Sequence, residues 1–508
     1  MTNKKAFDYI IVGAGSAGCV LASELARREV GKILLLEAGP SNNSPLVKMP
    51  FGLVWMIGSK KRDWLFKSVP QTMLDGREID VTRGRMVGGS GSINSMVWFR
   101  GRAKDYEDWK LKDWRWQEVE KAFTAIEKRI NPQRMNGAHP LSEGLHSIFQ
   151  QNSVEPPNPE YESAGVFLYN MRNGRRNSAA DAFLNPLQPN LKICVKTEVD
   201  KILFENKRAI GIVLNDGSQI RANKGVILSA GSICSPSILM RSGIGPKKHL
   251  QNLDIKICFD STEVGKNLQD HPSVGLHYAG PNSGYGITIQ QGPAWALAPL
   301  RYLLNRSGRL ASPTVEGGGF FHSIQGEYPP NLQIHFMPFK SGDGEKRYVY
   351  GSGYTADICV CKPKSRGTLQ LYSKDPLAAP KIDLGLLSAQ EDWDTLVQGL
   401  ERLRDLMERA DFGQYRAPEV SPGPSVVSGN GLHEYVKKNC ATAYHPVGTL
   451  RMGEDKQAPV SPRLTVNGVK NLWVADASVM PEITSANTNA PSMMIGFLAA
   501  KFIAEDKA

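Results

Sequence analysis

Two groups of residues in this 508-residue chain have types and spacing that can do chemistry. The first is Gly13-x-Gly15-x-x-Gly18, directly after the apolar run Tyr9 to Val12. Glycines at this spacing give a tight turn, let the backbone approach a pyrophosphate and let a helix pack closely. The free N–H groups at that helix N-terminus then favour the negative charge. Glu37 ends the next apolar run, 19 residues beyond Gly18. A carboxylate there accepts hydrogen bonds from ribose hydroxyls and disfavours a 2′-phosphate, which leaves FAD and NAD. The second group centres on His445 in "ATAYHPVGTLRMG", residues 441–453. A neutral imidazole can take the proton of an alcohol. A loop histidine before proline can equally be a hydrogen-bonded packing residue, and the stretch alone leaves both open.

The elements around the glycines read as strand, turn, helix and strand. Val20, Leu21 and Leu25 recur at helical spacing, and Ile33 to Leu36 is the second strand. The chain then departs from a doubly wound series, because residues 50–110 are rich in Trp, Gly and Arg rather than in repeated helix–strand units. That favours a flavoprotein whose later cofactor contacts come from distant segments. Three such segments stand out. "RGRMVGGSGSINSMVWFRG" (83–101) is a Gly/Ser loop. "GVILSAGSICSPSILMRSGIGP" (225–246) is a strand, small-residue turn and helix. "NLWVADASVMPEITSANTNAPSMMIGFLAAKFI" (471–503) is a strand ending at Asp476, a loop and a C-terminal helix.

Together with the glycine unit and "AYHPVGTLRMG", these segments resemble the glucose–methanol–choline family of FAD-dependent alcohol oxidoreductases. The likeness runs over nearly the whole chain in the family's order and is greatest to the choline and alkanol dehydrogenase branch. It implies that His445 is the base and that Asn489, in "SANTNAPSMMIG", lies beside it over the flavin. It implies FAD contacts from Gly13, Gly15, Ser16, Gly18, Glu37, Ala38, Gly88, Gly89, Ser92, Asn94, Val199, Asp476 and Ala477. Glu316, in "VEGGGFF", falls where choline-type members place a substrate-binding carboxylate, and a structural role there is an even alternative. His271, in "GKNLQDHPSVG", reads as structural. Ile93 stands where some choline-oxidising members carry a histidine bonded to the flavin, so the FAD is expected to be non-covalent. Pro491 suits the first residue of a helix whose N-terminal dipole points at the flavin's pyrimidine end, where reduced flavin carries negative charge.

The expected architecture is an α/β, Rossmann-like FAD-binding domain from residues 1–150, 190–275 and 440–508. An α+β substrate domain would take 151–189 and 276–439. Its strand-like alternations "GGGFFHSI", "NLQIHFMPF", "ADICVCKP" and "GTLQLY", with the helical run "SAQEDWDTLVQGLERLRDLMERA", predict an antiparallel sheet covered by helices. "LNRSGRLASPTVEGGG" is expected to be a mobile loop at the entrance.

Composition limits the other classes. The formal charge is +11, but Lys and Arg are scattered, so a solvated basic surface is expected rather than a nucleic-acid partner. Seven cysteines lack metal or disulfide spacing, Cys359-x-Cys361 included, which fits a reducing cytoplasm and no metal site. No apolar run reaches the roughly 18–20 residues that span a bilayer, though peripheral membrane attachment stays compatible. The expectation is therefore oxidation of a primary alcohol to its aldehyde, with hydride passing to the flavin and an acceptor that is a quinone, a dye or O2. A dehydrogenase is favoured over an O2-using oxidase, and a hydroxynitrile-lyase-like enzyme is the reading from another class.

Overall fold

The computed structural model describes all residues except 1–6, 150–155, 343–348, 427–428 and 507–508. Phe7–Val12 is the inner strand of a first sheet, and from Tyr9 onward its residues are buried, as a strand covered on both faces must be. Ile33–Leu36 pairs parallel to it, and Leu191–Cys194 pairs parallel to Ile33–Leu36. On the other side lies the long strand Gln219–Leu228. Its C-terminal half runs parallel to Phe7–Val12, while its N-terminal half is antiparallel to Arg208–Leu214. Val199–Glu205 and Leu472–Val474 complete the sheet. The result is a parallel Rossmann-like core with an antiparallel extension.

Helix Ser16–Arg27 leaves the glycine turn and packs against the C-terminal helix Asn489–Glu505. Gly496 permits the close crossing, since a Cβ there would stand 2.3 Å from the Ala17 carbonyl oxygen. The first residues of the two helices are joined by a hydrogen bond from Ser16 Oγ to Asn489 Oδ1, 2.7 Å. Two helix N-termini thus face one place. The second helix begins at Asn489, so Pro491 is its third residue rather than its first.

The second sheet is antiparallel, in the order Glu419–Ser421, Pro272–Ala279, Gly353–Val360, Leu332–Met337, Gly317–Phe321 and Ser163–Val166. Three of the four strand-like stretches lie in it. The fourth, "GTLQLY", forms a separate ribbon, Thr368–Gln370 against Lys381–Asp383. Strand Pro272–Ala279 crosses the domain boundary expected at residue 275. Helix Gln390–Arg409 covers one face, and Gly399 brings it so close that a Cβ would lie 2.3 Å from Leu332 Cδ1 and 2.9 Å from Ile358 Cδ1. Side chains alternate along a strand. With Leu332, Ile334 and Ile358 turned to the core, Gln333, His335 and Asp357 face the other way, towards the first sheet.

Candidate active site

A cavity of about 680 Å³ lies between the two sheets. At one end it is lined by Gly13, Gly15, Ser16, Glu37, Ala38 and Gly89, and further along by Asn94, Val199, Asp476 and Ala477. The glycines are needed sterically. Gly13 has φ +102°, and a Cβ there would lie 2.5 Å from the Ser229 carbonyl oxygen. Gly18, Gly88 and Ser92 stand behind the wall. A Cβ on Gly18 would meet the Gly13 carbonyl oxygen at 2.0 Å, so this glycine lets the helix sit against the turn. Gly88 donates to the Ala14 carbonyl at 2.7 Å, and Ser92 Oγ donates to Val87 O at 2.8 Å, which fixes the Gly/Ser loop.

Glu37 is buried and accepts from the backbone N–H of Ala14 (3.1 Å) and Gly39 (2.9 Å). Burial raises its pKa, and the two N–H donors oppose the rise. Asp476 accepts from Gly231 N (2.9 Å), Ser235 Oγ (2.6 Å) and Ser478 N (2.8 Å), so it shapes the wall from within. Asn94 Oδ1 is held by Arg176 Nη1 (2.8 Å) and Met96 N (3.0 Å), which leaves its NH2 group for the cavity. Among the described residues no partner reaches the buried Asn489 Nδ2 and Ser232 Oγ atoms, although both residues line the cavity. Buried polar atoms are nearly always satisfied. Two unpaired groups, two helix N-termini and a buried carboxylate therefore fit a bound dinucleotide.

His445 sits at the other end, where Asp270 ties two chain segments together. Asp270 Oδ1 accepts from the backbone N–H of both His445 and His271, each at 2.8 Å, and Thr442 Oγ1 donates to Oδ2. Desolvation lifts the Asp270 pKa to about 6, against these hydrogen bonds and the Arg83 charge. Tyr444, just before the histidine, takes φ +66°, and Arg83 holds its carbonyl.

The proton positions follow from the partners. His271 Nε2 is 3.1 Å from the Thr484 carbonyl, which can only accept, so Nε2 carries the proton. Neutral His271 then accepts at Nδ1, which is 3.0 Å from His445 Nδ1. His445 must therefore be protonated at Nδ1, and its unprotonated Nε2 accepts from the Asn487 amide at 3.1 Å. Both rings are held neutral: desolvation first, then the neighbouring histidines and Arg83, puts the His445 pKa well below the ordinary imidazole value, and desolvation takes His271 to about 3.

The asparagine beside His445 is Asn487. Its Nδ2 lies 3.1 Å from His445 Nε2 and 3.5 Å from His335 Nε2, while Gln333 Nε2 donates to its Oδ1 at 3.0 Å. Asn489, expected in that place, is one residue into the helix and turned to Ser16 and the cofactor end. The two asparagines are two positions apart in an irregular segment, where no period tells which one points where. Glu316 is not among the cavity-lining residues; it accepts from His139 N (2.8 Å) and Ser142 Oγ (3.0 Å) behind the wall. Reading the sequence missed Asn487, Gln333, His335 and Asp357. A signal existed, because Gln333 and His335 stand two apart inside an apolar strand and so mark one polar face.

A neutral histidine, an amide beside it and a dinucleotide cradle in one cavity fit a flavoenzyme that oxidises a C–OH group. Two parts of the chain, residues 7–273 and 363–496, match the GMC oxidoreductase family. The chain belongs to that family. It is 36% identical to an alcohol dehydrogenase (acceptor) of Pseudomonas putida, over 98% of this chain and 95% of the relative. It is 35% identical to an oxygen-dependent choline dehydrogenase of Chromohalobacter salexigens, over 97% of this chain and 94% of the relative. A formate oxidase structure from Aspergillus oryzae superimposes with a TM-score of 0.89 at 25% identity, covering 100% of this chain and 99% of the other. The cofactor is FAD, and the reaction class is FAD-dependent oxidation of an alcohol.

Proposed function

We propose that this enzyme oxidises primary alcohols to aldehydes, with His445 Nε2 taking the hydroxyl proton and Asn487 holding the hydroxyl oxygen. The observation that carries this reading is the run of partners from the Thr484 carbonyl through His271 to His445, which leaves a lone pair at His445 Nε2. The substrate hydroxyl takes the place of the Asn487 amide on His445 Nε2, so that Asn487 Nδ2 donates to the substrate oxygen instead, and Gln333 keeps that amide turned the right way. FAD supplies the hydride acceptor at N5. In this reading the helix N-terminus after Gly15 would hold the phosphates, the one after Thr488 would face the flavin's pyrimidine end, Glu37 would take the ribose, Val199 would border the adenine, and Asn94 and Ala477 would border the isoalloxazine, held non-covalently beside Ile93. Because His445 is kept neutral by its surroundings, flavin reduction keeps its rate down through about pH 6.5, the ordinary imidazole value, and falls only below it.

The two asparagines separate by experiment. Asn487→Ala lowers the flavin-reduction rate about 100-fold and keeps a full flavin complement. Asn489→Ala loses flavin, because Ser16 and the cofactor share its amide. Rapid-mixing kinetics and the flavin-to-protein absorbance ratio check both. Reversed outcomes would return Asn489 to the place beside the base.

A dehydrogenase passing electrons to a quinone or dye is favoured by the name of the Pseudomonas putida relative, an alcohol dehydrogenase (acceptor), while the oxygen-dependent choline relative stands for the O2-using alternative. Product analysis tests the reaction: aldehyde forms in step with reduced acceptor. Cyanohydrin cleavage without acceptor reduction would favour a lyase instead.

The reading also includes a cytoplasmic location with peripheral contact to an anionic membrane surface. Among the described residues no helix is long and apolar enough to cross a membrane. Helix Gly292–Asn305, however, leaves Leu297, Leu300, Leu303 and Leu304 between 55 and 71% exposed, with Ile289 at 81% just before it. Apolar patches of this kind mark contact surfaces. Exposed Arg301 lies on the same helix and Arg306 caps it, which with the net charge of +11 complements acidic lipid headgroups. Flotation with phosphatidylglycerol vesicles is expected to carry the protein, and Leu300→Glu with Leu304→Glu to abolish it. Flotation unaffected by these changes, or a dimer that the same changes dissociate, would overturn the assignment.

A further inference from the structure

Two carboxylates that line the cavity are not used by the chemistry above, and one of them, Glu198, is paired with Arg85 at 2.8 Å, which leaves Asp357. Asp357 projects from strand Gly353–Val360 into the cavity, directly opposite Gly275 on one neighbouring strand and His335 on the other. Gly275 makes the room, because a Cβ there would stand 1.9 Å from Asp357 Oδ1. Cβ atoms directly across strands lie about 4.5–5.5 Å apart. The carboxylate is therefore one side chain away from His335, which itself reaches Asn487 at 3.5 Å.

Each of the other buried acids around the site has donors on at least one carboxylate oxygen, although Glu316 Oε1 has none among the described residues. Glu37 has two backbone donors, Asp270 has three donors, Asp476 has three, and Glu316 has a backbone and a hydroxyl donor. Asp357 differs. Among the described residues no hydrogen-bond donor reaches it, and desolvation, with no charge set against it, lifts its pKa to about 7. A desolvated carboxylate without a partner is costly, and proteins keep such groups where a ligand completes them.

We propose that Asp357 is the specificity-determining group of the substrate pocket and pairs with a protonated primary or secondary amine, so that the enzyme acts on amino alcohols. The proposal rests on the alcohol-oxidation reading. The amine takes no part in the reaction: the hydroxyl proton still goes to His445 and the hydride to FAD. An ammonium with N–H groups gives both carboxylate oxygens a donor, whereas a quaternary ammonium has none to give. The net charge of +11 repels cations at long range, but salt screens that field within about 8–10 Å, while the contact with Asp357 is local.

The test compares 3-amino-1-propanol with 1-butanol, which has the same number of heavy atoms, on the holoenzyme at about pH 8, where an alkylamine remains protonated. The amino alcohol is expected to give a kcat/KM for flavin reduction at least tenfold higher, mainly through KM. In Asp357→Asn, with flavin content checked, the ratio collapses towards one. A readout independent of any variant is calorimetric binding of n-propylammonium, expected at least tenfold tighter than 1-propanol. If both alcohols react and the ratio is near one in the native enzyme, or survives in the variant, Asp357 does not select an amine and only this inference falls. Equal binding of n-propylammonium and 1-propanol overturns it as well. If no alcohol of either kind reduces the flavin, the alcohol reading falls and takes this inference with it.

Discussion

His445→Ala is expected to slow flavin reduction by an alcohol about 10²–10⁴-fold, the usual contribution of a positioned general base. The loss should appear in kcat and in kcat/KM together, since proton removal belongs to the transition state. The variant should keep its flavin, because the hydrogen bonds that hold Glu37 and Asp476 in place do not run through His445. Exogenous imidazole should restore part of the rate, as the space left by the ring opens on the cavity. Rapid-mixing absorbance measures both quantities. A loss below about tenfold would place proton removal elsewhere.

Gly13→Ala is expected to act at the opposite end and by a different cause. The residue has φ +102°, and its Cβ would stand 2.5 to 2.8 Å from backbone atoms of Ser229 and Ala230, which cannot swing away as a side chain could. Backbone strain costs about 1–3 kcal/mol and forced overpacking about 1–3 kcal/mol more. Against a total stability of about 5–15 kcal/mol, that is a large share. The turn also faces the pyrophosphate, so cofactor binding and folding weaken together. The purified variant should lack most of its yellow colour and melt several degrees lower by circular dichroism. Gly76→Ala is the control, since its φ of +73° is similar but nothing lies within 4 Å of its Cβ. Full flavin content and unchanged melting in Gly13→Ala would mean that the turn relaxes in a way the packing does not suggest.

The parts of this molecule that a short-range pattern encodes were readable in the sequence. The strand, glycine turn and helix of residues 7–27 announce themselves by apolar period and glycine spacing, and Glu37 by its place at the end of the next strand. Helix Gln390–Arg409 and three strands of the second sheet follow the same logic. "GTLQLY" alternates equally well but finds its partner in Lys381–Asp383, and alternation cannot name a partner. The active site lies beyond that reach. His445 meets His271 across 174 positions and Asn487 across 42, contacts that only the assembled sheets create. Asn487 and Asn489 look alike in sequence, and the start of the last helix turns one to His445 and the other to Ser16. Glu316 was expected at the substrate and Asp357 went unnoticed for the same reason: only the assembled sheet puts the first behind the wall and the second in the cavity.

The measurement that tests the central claim most directly is anaerobic: the purified holoenzyme is mixed with a panel of primary alcohols, with and without amine groups, and the flavin band near ~450 nm is followed. The account predicts that the band bleaches with one class of alcohol, that aldehyde appears in equal amount, and that both fail together in His445→Ala. A fully loaded flavin that no alcohol bleaches, or bleaching that is unchanged in His445→Ala, would contradict it.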